Sequence, residues 1–247
     1  MCIILINNKN GVFCAFKGDV ILLFDLISGA RFDFVQVIIY LFSAVTVIFL
    51  TMPVHEFAHA FAAYKLGDNS QKYQGRLTLN PFSHIDWMGA LCIILVGFGW
   101  AKPVQVNGYN FKNPKRDMAL TAFAGPFANL VVCFVSLFLY YLFIALSYKT
   151  LITVFVYVGL FFSYIAQINV SLAVFNLIPV PPLDGSKLLA AILPDRIYYK
   201  FMQYERYLYF AVILLIFSGL LDGPMYFITN HILSAFSKVA ALPFNLF

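Results

Sequence analysis

Four stretches of the chain are long and apolar enough to cross a lipid bilayer as helices. A helix needs about 20 predominantly apolar residues to span the hydrocarbon core, and the four stretches are residues 34–63, 118–146, 151–178 and 207–229. Hydrophobic residues make up 62% of the chain and charged residues 11%, whereas soluble domains average about 45–50% apolar and about 25% charged residues. The sequence therefore predicts an all-α polytopic membrane protein with about four transmembrane helices in contact with the lipid bilayer.

Two further segments carry weaker signals. Residues 88–101, "MGALCIILVGFGWA", are apolar but too short and too interrupted by glycine for a full span, which predicts a re-entrant or interfacial segment. Residues 1–33 mix apolar stretches with Asn, Lys, Gly and Asp, which predicts short strands or an interfacial segment. The net charge of +5 is spread over the loops, so we predict no nucleic-acid binding. Residues 1–247 are predicted to form a single membrane-embedded domain.

The distribution of basic residues predicts which side of the membrane each loop occupies. If 88–101 does not cross, residues 64–117 and 179–206 lie on one side with 11 Lys or Arg, and the other side has 5. Basic loops stay in the cytoplasm. This arrangement also brings the ends of the first and third apolar helices to the same membrane face, the cytoplasmic one.

The first apolar stretch ends in "HEFAH", in which His55 and His59 are four residues apart and Glu56 lies between them. Residues at i and i+4 share one face of a helix, so the two imidazoles converge on one point. Ionisable side chains cost about 2.5–3.5 kcal/mol or more inside a membrane helix, and they mark functional sites there. The pattern predicts a Zn²⁺ site, with Glu56 beside it as a base for water whose pKa the metal lowers to about 7.

A catalytic zinc usually has three protein ligands and an open position, so the sequence must supply a third. His231 has no polar neighbours and is interpreted as an interfacial histidine. His84 lies in a loop, and Asp184 follows three prolines that break the third helix and let the chain turn back. The membrane-side argument puts Asp184 on the same face as His59, and His84 and Asp184 both stay candidates for the third ligand.

Five segments, in this order, strongly resemble the site-2 protease family of intramembrane zinc metalloproteases. They are "HEFAH", "NPFSHIDWMG", "FGWAKPVQVN", "NPKRDMALTAFAGPFANL" and "NLIPVPPLDG". The resemblance covers about residues 34–193 as a metalloprotease core and leaves 207–229 as an accessory C-terminal helix. It looks like a minimal member, because 64–117 is too short for a PDZ insertion and no pair of CBS domains follows the last span. Trp87 stands where the family pattern has proline.

The resemblance implies a role for each matching residue. It implies that His55, His59 and Asp184 are zinc ligands and that Glu56 is the catalytic base. It also implies that Asn129 lies near the active site, where it binds substrate or helps to stabilise the oxyanion. His84 is a second candidate for this supporting role.

The function implied by the resemblance is zinc-dependent hydrolysis of peptide bonds within or near transmembrane segments, as in regulated intramembrane proteolysis. The implied partner is a membrane-protein substrate, the implied location is a bacterial cell membrane, and no oligomeric state is predicted. Two alternatives stay open. One is a membrane metal-binding or transport protein, which would keep the ligands without needing Glu56, and the other is an inactive scaffold relative.

Overall fold

Three helices of the computed structural model are long and apolar enough to cross a membrane. The structure describes residues 2–3, 34–84, 86–88, 98–99, 102 and 104–244. Within that part the spanning candidates are α1 (Phe34–Leu66), α3 (Pro114–Thr150) and α4 (Val154–Asn176). They correspond to the first three predicted spans, and the helical membrane architecture is confirmed for them.

The first spanning helix changes its winding just before the HEFAH motif. α1 is built from an α-helical segment Phe34–Thr46, a π-helical turn Val47–Thr51 and a second α-helical segment Met52–Leu66. Pro53 has no N–H group to donate to the preceding turn, and its ring crowds the carbonyl there. The Met52 N–H reaches back to the Val47 carbonyl instead, which widens the helix by one residue. Gly67, in the left-handed conformation, ends α1.

Shorter helices connect and follow the spanning helices. Their bounds are α2 (Ser70–Tyr73), α5 (Gly185–Ile192), α6 (Asp195–Met202), α7 (Glu205–Ser218) and α8 (Asp222–Ala241), with single 3₁₀ turns at Pro81–Ser83, Gly108–Asn110 and Leu242–Phe244. Two-residue strands β1 (Cys2–Ile3) and β2 (Phe98–Gly99) pair antiparallel.

The prediction of one continuous helix over 207–229 is wrong. The segment is divided between α7, which ends at Ser218, and α8, which begins at Asp222. Gly219 takes a left-handed conformation at φ +72° and caps α7. The 14 residues of α7 rise only about 21 Å, less than the roughly 30 Å hydrocarbon core. Apolar composition alone predicts one span, because hydropathy does not register that a left-handed Gly219 ends the helix.

Most of the re-entrant or interfacial segment predicted over 88–101 lies outside the described residues. The same holds for residues 1–33 apart from Cys2–Ile3, which pair with Phe98–Gly99. For both segments, the expectation from the sequence stays a prediction.

The three spanning helices pack side by side, and the order of connections fixes their directions. Only three residues, 151–153, separate α3 from α4, so the two helices run antiparallel. One buried cluster joins α1 to α4 and consists of Tyr40, Ala44, Val47, Ile48, Met52, Ile165, Ile168 and Leu172. A second joins α3 and α4 to the C-terminal helices through residues that include Cys133, Leu137, Val170, Val212, Ile216 and Met225. Asp184, in the turn after α4, lies beside His55 and His59 of α1, so the C-terminal ends of α1 and α4 lie at one face.

A buried carboxylate ties together the two loops that flank the end of α1. Asp68 accepts hydrogen bonds from the backbone N–H groups of Ser70 and Asn107 and from the side chains of Gln71 and Asn110. Burial alone would raise the pKa of Asp68, but these four donors favour the charged form and lower it to about 2. The connection fixes residues 104–111 against the helix that carries the HEFAH motif.

Candidate metal centre

Three side chains, two from α1 and one from a distant part of the sequence, converge near the end of α1. The Nε2 atoms of His55 and His59 lie 3.3 and 3.0 Å from Oδ2 of Asp184, and 3.0 Å from each other. Both histidines are buried, and one ligand atom from each of the three residues lies within 4.8 Å of the others. It is the one such group of His, Cys, Asp and Glu among the described residues.

The histidine spacing and the proline-rich turn explain why these side chains meet. His55 and His59 are one turn apart on the same face of α1, with their rings edge to face at 84°. Asp184 closes the turn that follows α4 and immediately precedes α5. The turn folds back tightly at Gly185, where a Cβ atom would lie 2.3 Å from the Leu177 carbonyl oxygen. Glycine is needed there because any side chain would push Asp184 away from the histidines.

The third spanning helix approaches the histidines through a position that has no side chain. A Cβ atom on Gly125 of α3 would lie 2.3 Å from Nε2 of His59 and 2.7 Å from Cε1 of His55. Real Cβ atoms essentially never approach other atoms that closely. The space beside the two Nε2 atoms therefore exists because residue 125 is glycine.

A backbone hydrogen bond from α3 orients one of the two imidazoles. Nδ1 of His59 lies 2.7 Å from the carbonyl oxygen of Thr121, which can only accept. Nδ1 therefore donates to Thr121, and Nε2 faces His55 and Asp184. This pattern, with one ring nitrogen donating to a carbonyl and the other free to bind, is typical of metal-ligating histidine.

The donor set fits a zinc ion. Two neutral imidazole nitrogens and one carboxylate oxygen are ligands of the type that zinc prefers, and catalytic zinc sites have three protein ligands. Donors about 2.0–2.1 Å from one tetrahedral centre lie roughly 3.3 Å apart, close to the 3.0–3.3 Å between these three atoms. His55, His59 and Asp184 could therefore hold a metal with little rearrangement.

The electrostatic surroundings favour the ionised form of Asp184. Burial would raise its pKa, but the adjacent His59 and His55 and the Lys187 ammonium outweigh burial and hold the pKa well below its usual range. The Lys187 Nζ lies 3.2 Å from Oδ1, the oxygen that faces away from the histidines. Asp184 is thus a carboxylate at neutral pH, as a metal ligand must be.

Glu56 lies beside the three-residue group without belonging to it. It follows His55 on α1, its side chain is half-buried, and it makes no hydrogen bond or ion pair with the described residues. Glu56 stands outside the three-residue group, and its role as a base that acts on water stays a prediction.

The other candidate residues occupy different surroundings. His84 is 1% exposed, its Nε2 lies 2.8 Å from the Thr78 carbonyl oxygen, and it stands outside the metal-ligand group. Asn129 is also 1% exposed, one helical turn beyond Gly125 on α3, and its Oδ1 has no hydrogen-bond partner in the described structure. His231 is hydrogen-bonded to the Phe227 carbonyl on α8.

Three contributors to the site were missed in the sequence: Thr121, Gly125 and Lys187. Gly125 and Thr121 lie in the quoted "TAFAGPFANL" stretch, and a spacing of four residues places them on one face of α3. Lys187 follows Asp184 by three residues, a spacing that allows contact at the start of a helix. The signals were present, but choosing among them required the packing of α3 against α1.

Substitution of His84 by alanine should leave zinc content near that of the unchanged protein. The His84 imidazole holds the Thr78 carbonyl inside the loop rather than joining the ligand group. Cleavage activity should fall if this loop guides the substrate. Elemental analysis of the purified variant measures the metal, and Asp184→Ala is the matched comparison. Loss of zinc in His84→Ala together with retention in Asp184→Ala would reverse the ligand assignment.

A comparison with known protein families gives the site its context. Residues 43–219, most of the chain, match the family described as Peptidase family M50. The chain belongs to peptidase family M50. This M50 member is 41% identical over 173 residues to "Putative zinc metalloprotease YwhC" of Bacillus subtilis (strain 168), a match that covers 70% of this chain and 78% of that protein.

A second M50 relative is more distant. "Putative zinc metalloprotease Rip2" of Mycolicibacterium smegmatis (strain ATCC 700084 / mc(2)155) is 30% identical over 141 residues, covering 55% of this chain and 51% of that protein. No solved structure matches the chain. The family match and the zinc metalloprotease names agree with the metal-ligand geometry, and the apolar helices indicate an integral membrane protein.

Proposed function

We propose that this M50 member is an intramembrane zinc metalloprotease that hydrolyses peptide bonds within or near transmembrane segments of other membrane proteins. The observation that carries the proposal is the convergence of His55, His59 and Asp184 at donor separations of 3.0–3.3 Å. Two of these residues lie on a helix that is long and apolar enough to cross a membrane. A soluble peptidase has no need to place its ligands on such a helix.

His55, His59 and Asp184 would hold a zinc ion. A zinc ion bound there would supply Lewis-acid chemistry, polarising a carbonyl group and lowering the pKa of water. The Thr121 carbonyl keeps the His59 ring in the tautomer that presents Nε2. Gly125 leaves the space in which the ligand atoms meet.

Glu56 carries the proton through the reaction. Its carboxylate takes a proton from the attacking water, so that the oxygen becomes a better nucleophile toward the scissile carbonyl carbon. After the tetrahedral intermediate forms, Glu56 gives the same proton to the departing amide nitrogen, and the C–N bond breaks. Proton transfer by a positioned side chain typically contributes about 10²–10⁴-fold to the rate.

The substrate must present an extended segment, because the backbone groups of an intact helix are hydrogen-bonded to one another and shielded by side chains. Asn129 supports this step: its amide is buried one helical turn beyond Gly125, and Oδ1 lacks a partner in the described structure. We assign Asn129 to binding the backbone of the unwound substrate. The polar loops 64–87 and 101–117 are the candidate gates for substrate and water.

The metal assignment is tested by zinc content. The purified protein should contain about one zinc per chain, because three ligands at one site are typical of catalytic zinc. His59→Ala and Asp184→Ala should each lose most of it, and His231→Ala is the matched control on α8, outside the group. Unchanged zinc in either ligand variant would mean that the metal is held elsewhere.

We further propose that the active site faces the cytoplasm of a bacterial cell, since residues 64–117 and 179–206, which flank the site, contain 11 of the 16 Lys and Arg residues. Lys72→Cys, in a variant from which the four native cysteines have been removed, should react with an impermeant thiol reagent only after the cytoplasmic face is exposed. Lys72 is exposed on α2. Labelling from outside intact cells would contradict this orientation.

A further inference from the structure

The two oxygens of Asp184 have different partners. Oδ2 lies 3.0 and 3.3 Å from the Nε2 atoms of His59 and His55. Oδ1 lies 3.2 Å from the Nζ of Lys187. Lys187 is the one Lys or Arg that pairs with Asp184 among the described residues. A carboxylate can bind a metal through one oxygen or through both, so a cation that occupies one oxygen affects which mode is available.

We propose that Lys187 is a positioning residue that occupies Oδ1 and makes Asp184 a ligand through Oδ2 alone. The proposal rests on the proposed metal site. Its consequence is a site limited to three protein donors, in which one coordination position remains open for water and substrate. A second carboxylate oxygen at the metal would fill that position and would favour cations that prefer more oxygen ligands, such as Mn²⁺.

The backbone around Lys187 holds its side chain in place for this role. Lys187 lies in the first turn of α5, three residues after Asp184, and its backbone N–H donates to the Asp184 carbonyl at 2.9 Å. The Ser186 hydroxyl donates to the Leu183 carbonyl at 2.7 Å, and Gly185 packs against the end of α4. These contacts fix the backbone of the turn that carries Asp184 and Lys187. Only the Lys187 side chain has to be ordered for Nζ to reach Oδ1.

The ion pair contributes little to folding and is better explained by the site. The Lys187 side chain is 38% exposed, and ion pairs with a solvent-exposed partner typically contribute little to stability. The carboxylate, by contrast, is only 12% exposed, so its orientation depends on its few partners. Removing the lysine should leave the fold intact and release Oδ1.

The ratio of two metal affinities distinguishes an effect of Asp184 orientation from an effect of the Lys187 charge. The Lys187 ammonium repels every divalent cation at the site to a similar degree, so its charge cancels from the ratio of two affinities. The number of Asp184 oxygens that bind the metal does not cancel, because zinc favours four-coordinate sites and Mn²⁺ favours six-coordinate sites rich in oxygen ligands. The ratio of Mn²⁺ to Zn²⁺ affinity therefore reports how many oxygens of Asp184 the metal can use.

The test uses the full-length purified protein, stripped of metal and loaded with Co²⁺, Zn²⁺ or Mn²⁺. In Lys187→Met the visible absorption of bound Co²⁺ should weaken, as expected for a higher coordination number. The Mn²⁺-to-Zn²⁺ affinity ratio should rise about tenfold, within the range found for residues that contact metal ligands. Lys187→Arg keeps the charge and the donors and should resemble the unchanged protein. Lys200→Met on α6 removes the same charge at an exposed position and should change neither reading. Lys187→Ala serves as a second neutral variant if the methionine variant does not fold.

An unchanged cobalt spectrum and affinity ratio in Lys187→Met would overturn the proposal. So would a loss of kcat at saturating zinc with both metal readings intact, since Lys187 would then act on the substrate. If the unchanged protein bound none of the three metals, the proposed metal site would itself be wrong, and this inference would fail with it. Metal binding by the unchanged protein with no effect of Lys187→Met would leave the proposed function standing and reject this inference alone.

Discussion

Gly125→Ala should abolish zinc binding and activity together. The added Cβ would lie 2.3 Å from Nε2 of His59, the nitrogen assigned to the metal, and 2.7 Å from Cε1 of His55. The collision cannot be relieved without moving an imidazole or separating α3 from α1, because both histidines are buried. Overpacking of this kind typically costs about 1–3 kcal/mol, and here the displaced atoms belong to the proposed metal ligands.

A matched glycine on the neighbouring helix provides the control. Gly159→Ala on α4 would place its Cβ 3.2 Å from Cδ1 of Ile144, a flexible side-chain end that can shift. Elemental analysis of both variants, after their folding has been checked by gel filtration in detergent, should find zinc retained in Gly159→Ala and lost in Gly125→Ala. Full zinc occupancy in Gly125→Ala would mean that α3 does not pack on the histidines as described.

Glu56→Gln should reduce cleavage by about 10²–10⁴-fold, the usual contribution of general acid–base assistance, and should leave zinc content near that of the unchanged protein. Glutamine keeps the size of the side chain but cannot take a proton from water. Glu56 lies outside the ligand group, so the metal does not depend on it. Uncleaved membrane substrate should accumulate in complex with this variant.

The contrast with a ligand variant makes this prediction specific. Asp184→Asn also replaces a carboxylate by an amide, but it removes a ligand and should lose both zinc and cleavage. The measurement pairs elemental analysis with cleavage of a transmembrane substrate in proteoliposomes. Cleavage by Glu56→Gln at the rate of the unchanged protein would rule out Glu56 as the base.

The spanning helices could be predicted because bilayer thickness leaves few choices. About 20 apolar residues identify a span, and α1, α3 and α4 each contain a predicted apolar stretch or most of one. The same reasoning failed over 207–229, where hydropathy alone hides the break at Gly219. A single left-handed glycine ends a helix without changing the average hydropathy of the stretch.

The three residues of the candidate metal site could be selected for a related reason. The spacing of His55 and His59 fixes a shared helix face, and the loop charges place Asp184 on the same side of the membrane. Gly125 and Lys187 were missed because their roles depend on distances between elements. No spacing rule states that α3 approaches α1 at residue 125 or that a lysine reaches the outer oxygen of Asp184.

The position of the cut bond tests the central claim most directly. The purified protein and a substrate with one transmembrane segment would be reconstituted in proteoliposomes, and the product termini would be identified by mass spectrometry, with Glu56→Gln as the inactive control. We predict a single cut within or near the transmembrane segment that requires zinc and disappears in Glu56→Gln. If the zinc-loaded protein does not cut the membrane substrate in proteoliposomes, this result would contradict the protease assignment and favour a metal-binding or transport role.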